Sequence, residues 1–543
     1  PDARPRRRAE TPTRDAMPIR SILIANRGEI AIRIARAAAD LGLRAVTLAS
    51  ADDADALHAR AGDDCRRLEG TGPAAYLDQA AAIAAAKAAG CDAIHPGYGF
   101  LSENAGFAAM CAEAGIVFIG PSSEILSRLG DKSAARALAA ELDVPLLPGL
   151  SGGASQDAVR AFVEAHGPTM IKAVAGGGGR GMRAVEAPGQ VADAYARCAS
   201  EAAGAFGDGS LYAEKLVKRA RHIEVQVIGD GSAVVHAWER DCTLQRQGQK
   251  LVEIAPAPDL APGLREAILS AALRLARAVS YRGLGTFEFL VDLDAPGSFY
   301  FMEANPRLQV EHTVTEEVTG LDLVGAQILL LGGETLASLG LTEPPALRPG
   351  YAIQLRVNAE TMTPTGESRP QGGTLALYEP PTGPGVRVDG QGFAGMKINP
   401  RFDSLLAKLI VRSAVPGFPA AIARAGRALS EFRIAGVQTN APFLAGLLAR
   451  PEVARNAVHT SWVKEIAGAV IAEMKDAPAL PAAAAADAPR AAAEGPEGTD
   501  PLPAPLTGVL ASLEIAEGDA VAEGQPVAIL EAMKMEHVVA ASA

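Results

Sequence analysis

Apolar and polar residues change their spacing several times along this chain, and each change marks a structural boundary. Ile19–Ala25 is a strand-like stretch whose apolar run, Ile22–Ala25, predicts a strand. Asn26-Arg27-Gly28-Glu29 follows, then a helical period from Ile30 to Leu41, and Ala45–Leu48 turns apolar again. That order predicts a βαβ unit at the start of a parallel sheet. Cys91–Ile94 and Val117–Ile119 predict further strands with helical stretches between them. Residues 147–216, glycine-rich at the centre, predict a mobile lid. From Ile223 the pattern becomes β-rich, with strands predicted over Ile223–Ile228, Ala233–Trp238, Thr286–Val291 and Phe299–Glu303. Helices are predicted over Leu264–Val279 and Pro419–Phe432.

Toward the C-terminus, residues 466–500 are dominated by Ala, Pro, Glu and Asp and contain no aromatic side chain. They predict a flexible linker, either the tether of a swinging carrier or a spacer without mechanical purpose. Beyond it, Pro505–Val509, Glu517-Gly518-Asp519 and Val527–Leu530 predict the short strands and turns of a small β domain. The expected organisation is a disordered tail at 1–16, an α/β subdomain over 17–146 and the lid over 147–216. A β-rich subdomain over 217–465, the linker over 466–500 and a partial all-β domain over 501–543 complete it. Met17 directly precedes the first strand, and the tail before it is expected to be upstream read-through.

Composition narrows the class. At 543 residues several cores are needed. The 48% hydrophobic and 21% charged residues suit a globular protein, and a net charge of −12 leaves no footprint for nucleic acid or anionic membrane. The most apolar stretches are alanine-rich and broken by Lys or Asp, so no spanning helix is expected. Five scattered cysteines without a CxxC pair predict reduced buried thiols, and no secretory pattern opens the chain, so a cytoplasmic protein is expected.

Candidate chemistry begins at Ala175-Gly176-Gly177-Gly178-Gly179-Arg180-Gly181, after the extended Met170-Ile171-Lys172-Ala173. Consecutive glycines let backbone N–H groups close on a polyphosphate, and Lys172 offers a point charge. A glycine run alone is more often a flexible hairpin. No Gly-Lys-Ser/Thr closes this one, and no GxGxxG follows the first strand, so neither a Walker loop nor a dinucleotide site is predicted. Glu288, in Thr286-Phe287-Glu288-Phe289-Leu290, is a carboxylate among residues suited to burial, which must be paired or bind a metal. On an extended chain Glu303, Asn305, Arg307, Gln309 and Glu311 would project to one side.

Several long motifs carry a family resemblance. Asn26-Arg27-Gly28-Glu29-Ile30-Ala31, His95-Pro96-Gly97-Tyr98-Gly99-Phe100-Leu101-Ser102-Glu103-Asn104, the glycine loop and Glu303-Ala304-Asn305-Pro306-Arg307 resemble biotin carboxylase, an ATP-grasp enzyme, over about residues 19–465. Met533-Lys534-Met535 resembles the acceptor turn of a biotinyl carrier domain, with Lys534 the biotin attachment site. The chain ends soon after Lys534, so half of a pseudo-symmetric carrier and poor modification of Lys534 are expected.

The resemblance implies Lys132, Lys172, Gly178 and Gly179 at the ATP phosphates. It implies Glu214, Lys215 and Val217 at the adenine, with His222 and Gln245 nearby. Glu288, Glu303 and Asn305 suit Mg2+ (or Mn2+) held together with those phosphates. Bicarbonate would be held by Arg307, Gln309, the Val310 backbone and Lys250, and deprotonated by Glu311. ATP would convert it to carboxyphosphate, whose CO2 passes to biotin while Arg356 steadies the negative oxygen of the deprotonated ureido group. The implied partners are a carboxyltransferase domain or subunit, a biotin protein ligase and further copies in a homo-oligomer, with no nucleic acid and no membrane.

Three positions depart from the family pattern: Gly248 where a His is typical, Gln354 where a Glu is common, and Glu253-Ile254 in place of a Glu pair. The segments 360–362, 372–375, 383–389 and 401–408 look most like single-chain long-chain acyl-CoA carboxylases. Propionyl-, acetyl- or methylcrotonyl-CoA carboxylase components are alternatives. So are a biotin-independent ATP-grasp ligase and a carrier or assembly subunit with a degenerate site.

Overall fold

The computed structural model describes residues 19–150, 152–174, 181–246, 248–476, 501–504, 506, 508–532 and 535–541. The expected tail at 1–16, Gly178 and Gly179, the linker from 477 onward and Lys534 lie outside the described residues.

The N-terminal motifs are placed by a five-stranded parallel sheet in the order Asp64–Arg67, Arg44–Ala49, Ser21–Ile24, Ala93–His95, Val117–Phe118. Ser21–Ile24 is buried at every position, as a central strand covered on both faces requires. Helix Gly28–Asp40 lays Ile30, Ile34, Ala35 and Ala38 against it. Strand order reverses between Ser21–Ile24 and Ala93–His95, so the two loops leaving their C-terminal ends frame a crevice. The motifs meet there, with Asn26 Nδ2 donating to the carbonyls of Pro96 at 2.6 Å and Tyr98 at 2.8 Å. Gly97 has φ +65°, and a Cβ on it would stand 2.9 Å from Asn26 Nδ2, so only glycine fits.

Residues of the expected lid form a four-stranded sheet in the order Gly149–Leu150, Leu211–Lys215, Thr169–Ala173, Met182–Val185. Helices Gln156–His166 and Val191–Phe206 flank it over a separate core that includes Val159, Ile171 and Leu211.

The β-rich part is an eight-stranded antiparallel sheet. Its order is Phe299–Asn305, Arg282–Asp292, Ala220–Asp230, Val234–Arg246, Gln249–Ala255, Tyr351–Asn358, Leu405–Ser413, Val386–Gly390. Helix Pro262–Ala278 buries Ile268, Leu269 and Leu275 beside Phe287, Phe289 and Phe301. Helices Phe418–Glu431, Ala441–Leu448 and Trp462–Asp476 cover Leu409 and Val411. This corrects the expected start of the linker at 466, because Ala467, Val470 and Ile471 are buried in that core and hold the chain helical to Asp476.

A three-stranded antiparallel sheet of Val509–Leu513, Pro526–Ala532 and Met535–Ala540 follows, over a small core of Ala528, Leu530 and Val539. Glu517-Gly518-Asp519 is a turn, with Gly518 at φ +95°. All five cysteines are unpaired and four are buried. Among the described residues no helix is long and apolar enough to cross a membrane.

Candidate active site

Antiparallel pairing sets Glu303 opposite Glu288, Glu288 opposite Glu224, and Glu224 opposite Arg240. Directly opposed side chains share a face, so three carboxylates stand in a row and repel unless cations intervene. Lys250 supplies one. Its ammonium donates to Glu224 at 2.6 Å, Glu288 at 3.0 Å and Glu311 at 2.6 Å. Arg240, fully buried, pairs with Glu224 and donates to Gln226 Oε1 at 2.9 Å and Thr315 Oγ1 at 3.0 Å. His222 Nε2 lies 2.8 Å from Glu288.

These contacts decide the protonation states. Burial alone would raise the carboxyl pKa values, but the facing cations outweigh it and hold Glu224, Glu288 and Glu311 below the ordinary range. Burial pulls Lys250 down, and the surrounding anions reverse that and keep it charged. Glu253 goes the other way, because burial pushes it up further than Arg356 pulls it down. At neutral pH Glu311 is therefore an ionised carboxylate able to take a proton.

One expectation needs correction. The strand carrying Glu303 stops at Asn305 and does not run on to Glu311. Pro306 has no N–H with which to continue the ladder, so the chain turns, and Glu311 becomes the N-cap of helix His312–Thr319. The turn, not strand alternation, brings the polar groups together. Asn305 Nδ2 and Gln309 Nε2 donate to Glu288 Oε1 at 2.9 and 3.1 Å. Arg307 donates to Asn305 Oδ1 at 2.9 Å and Gln309 Oε1 at 3.1 Å, and its Nε lies 3.2 Å from Glu103. Arg356 donates to Glu253 at 2.5 Å and Glu311 at 3.1 Å. The Val310 carbonyl accepts from Lys408 at 3.1 Å.

The other expected site residues lie around this centre. Lys132 opens helix Lys132–Glu141, capped by Asp131, and its ammonium is 3.6 Å from Glu303. Lys172 pairs with buried Glu214, which Arg136 also meets at 3.2 Å. Burial lowers the Lys172 pKa, but Glu214, with Tyr212 and Glu303 adding to it, drives it above its usual value. Lys215 is exposed and Val217 half-buried. Gln245 Nε2 lies 3.4 Å from His222 Nδ1, joining those two to the Glu288 end.

The oxygen donors suit a divalent cation. Glu288 and Glu303 are opposed across the ladder with the Asn305 amide beside them, and Glu303, at 32% exposure, faces outward with Lys132 too far for a hydrogen bond. Glu224 and Arg240 went unrecognised from sequence, and Glu253 was noted only as a position departing from the family pattern. Glu224, between Ile223 and Val225, and Glu253, between Val252 and Ile254, are charges flanked by apolar residues, which was the available signal; Arg240, between Glu239 and Asp241, offered none. Gln354, at a departing position, donates to Glu253 at 2.9 Å and accepts from Thr313.

Comparison with known proteins gives four matching family models. They are described as "Biotin carboxylase, N-terminal domain" over 18–126, "Carbamoyl-phosphate synthase L chain, ATP binding domain" over 131–339, "Biotin carboxylase C-terminal domain" over 354–465, and "Biotin-requiring enzyme" over 501–543. Pyruvate carboxylase 1 of Caenorhabditis elegans is 47% identical over 450 residues, 82% of this chain and 38% of that protein. This chain thus spans well under half the length of that relative. The biotin carboxylase domain of Hydrogenobacter thermophilus 2-oxoglutarate carboxylase, solved as a dimer with MgADP, ADP and bicarbonate, is 37% identical with a TM-score of 0.79. It covers 84% of this chain, which spans 99% of it. A single-chain, multi-domain long-chain acyl-CoA carboxylase is 42% identical with a TM-score of 0.74, over 96% of this chain and 48% of its own.

Proposed function

We propose that this chain, which belongs to the biotin carboxylase family, performs the first half-reaction of a biotin-dependent carboxylase, the ATP- and bicarbonate-dependent carboxylation of biotin. The observation that carries it is one ionised carboxylate, Glu311, held between Lys250 and Arg356 beside the Arg307–Gln309 turn. Bicarbonate enters that turn, where the Arg307 guanidinium, the Gln309 amide, the Val310 N–H and the Lys250 ammonium hold it. Its negative charge competes for the two cations on Glu311, which frees that carboxylate to accept the bicarbonate proton. Lys132 and Lys172 neutralise the ATP phosphates, with Gly178 and Gly179 offering backbone N–H groups to them. Glu214, Lys215, Val217, His222 and Gln245 line the rest of the nucleotide site. Glu288, Glu303 and Asn305 would hold Mg2+, which would supply charge neutralisation at the phosphates. Biotin on Lys534 would supply the ureido nitrogen to be carboxylated, and Arg356 would steady its oxygen.

The carbon acceptor belongs to a carboxyltransferase partner. The relatives named pyruvate carboxylases favour a 2-oxo acid. The match to a long-chain acyl-CoA carboxylase across 96% of the chain favours the acyl-CoA expected from sequence. Labelled bicarbonate fixed into pyruvate or into acyl-CoA, with the carboxyltransferase present, separates the two.

The half-reaction itself is tested by ATP hydrolysis with Mg2+, with and without bicarbonate and free biotin. Turnover that requires bicarbonate, rises with biotin, and is lost in Glu311→Gln and Arg356→Ser is the expected result. ATP turnover indifferent to both substrates would overturn the reading.

A further inference from the structure

We propose that Lys408 and Glu29 are positioning residues that orient the peptide leading into Glu311, an inference that rests on the functional reading above. Lys408 lies in strand Leu405–Ser413 directly opposite Arg356, and it is fully buried. Its ammonium meets two groups. The Val310 carbonyl accepts from it at 3.1 Å, and Glu29 Oε2 lies 3.0 Å away. Glu29, also buried, accepts from the Tyr98 hydroxyl.

An unbroken line of contacts therefore joins the two N-terminal motifs, through Tyr98 and Glu29, to the residue before Glu311. Stability does not account for it. Desolvating an ammonium and a carboxylate together is expensive, and a well-packed apolar pair of similar volume is often as stable or more so. The neighbours of Lys408 on its strand, Leu406, Leu409, Ile410 and Val411, are buried apolar residues. What an apolar residue cannot do there is donate to the Val310 carbonyl.

The preceding carbonyl is held as well. His312 Nδ1 lies 2.7 Å from the Gln309 oxygen, and His312 is fully buried. With both carbonyls fixed from the protein side, the Val310 N–H and the Glu311 carboxylate keep a single orientation toward the anion site. Lys408 touches neither substrate nor nucleotide in this arrangement, so its effect passes through the turn.

The test compares wild type, Lys408→Met and the charge-neutral double variant Glu29→Gln/Lys408→Met in bicarbonate- and biotin-dependent ATP turnover, alongside thermal melting. Loss of an outer partner of this kind lowers kcat by about tenfold or more, with the KM for ATP unchanged. The double variant should recover the melting temperature lost in Lys408→Met without recovering kcat. Wild-type kcat in a folded double variant would overturn the inference and leave a purely structural pair. Should neither variant fold, Glu29→Gln alone is read by the same split between kcat and ATP KM. A wild-type chain that ignores bicarbonate would instead overturn the functional reading, and this inference with it.

Discussion

Replacing Lys250 with methionine keeps the length of the side chain and removes the one cation shared by three buried carboxylates. Glu224, Glu288 and Glu311 lose contacts of 2.6, 3.0 and 2.6 Å at once. Each retains a second partner: Arg240, His222 and Arg356 respectively. The deficit is therefore set at the scale of one broken buried ion pair, about 3–5 kcal/mol, and not three. Its pH dependence is the sharper signature. In the wild type these carboxyls have depressed pKa values, so their contribution is complete above the ordinary carboxyl range and is lost only as pH falls through the depressed values. Without the ammonium, burial and mutual repulsion push them upward, and at least one takes a proton near neutrality. The deficit should be largest at about pH 8 and shrink by half or more at about pH 5.5. Denaturant titrations followed by tryptophan fluorescence measure it, because Trp238 lies in strand Val234–Arg246 of the same sheet. A deficit below about 1 kcal/mol, or one equal at both pH values, would refute the claim that Lys250 neutralises a carboxylate cluster.

Three further outcomes follow from the same geometry. Glu303→Gln should raise the Mg2+ concentration for half-maximal ATP turnover by about tenfold or more, and an unchanged Mg2+ requirement would remove Glu303 from the metal site. Burial lowers His58 to about 4, His95 to about 3 and His236 to about 4, so the unfolded chain takes up their protons first as pH falls below 6.5. Stability should therefore drop on acidification by about 1.4 kcal/mol per pH unit for each histidine, and His58→Gln should flatten the unfolding midpoint against pH in that window. Whatever avidin labelling the chain takes, expected to be weak, should vanish in Lys534→Arg while turnover with free biotin stays unchanged; avidin signal retained by the variant would move the attachment site elsewhere.

Much of this architecture was legible in the chain because local rules and tertiary structure agree. The apolar run before Asn26 and the helical period after it became Ser21–Ile24 and Gly28–Asp40 within one or two residues. Glu288 announced itself as a charge among phenylalanines, since burial there demands a partner. Lys132 was found only through the family resemblance, whereas Glu303 and Arg307 also stood out in the alternating run from Glu303 to Glu311. Where local rules misled, packing overrode them. Residues 466–476 have linker-like composition, yet Val470 and Ile471 reach a core built by helices distant in sequence. Glu303 to Glu311 alternates like a strand, but Pro306 forbids the next ladder bond, and a turn gathers the same side chains.

By itself, then, the sequence determined many of the elements, the parallel start and the β-rich later part, and the residue types that the chemistry requires. The tertiary structure alone decided which charges meet. Glu224 faces Arg240 and Glu288 because antiparallel register sets them in one row, and Lys250 reaches Glu311 across 61 residues of chain. Spacing along a chain carries period and burial, whereas the pairing of buried charges depends on strand register and the turn at Pro306, which only the packed sheet specifies.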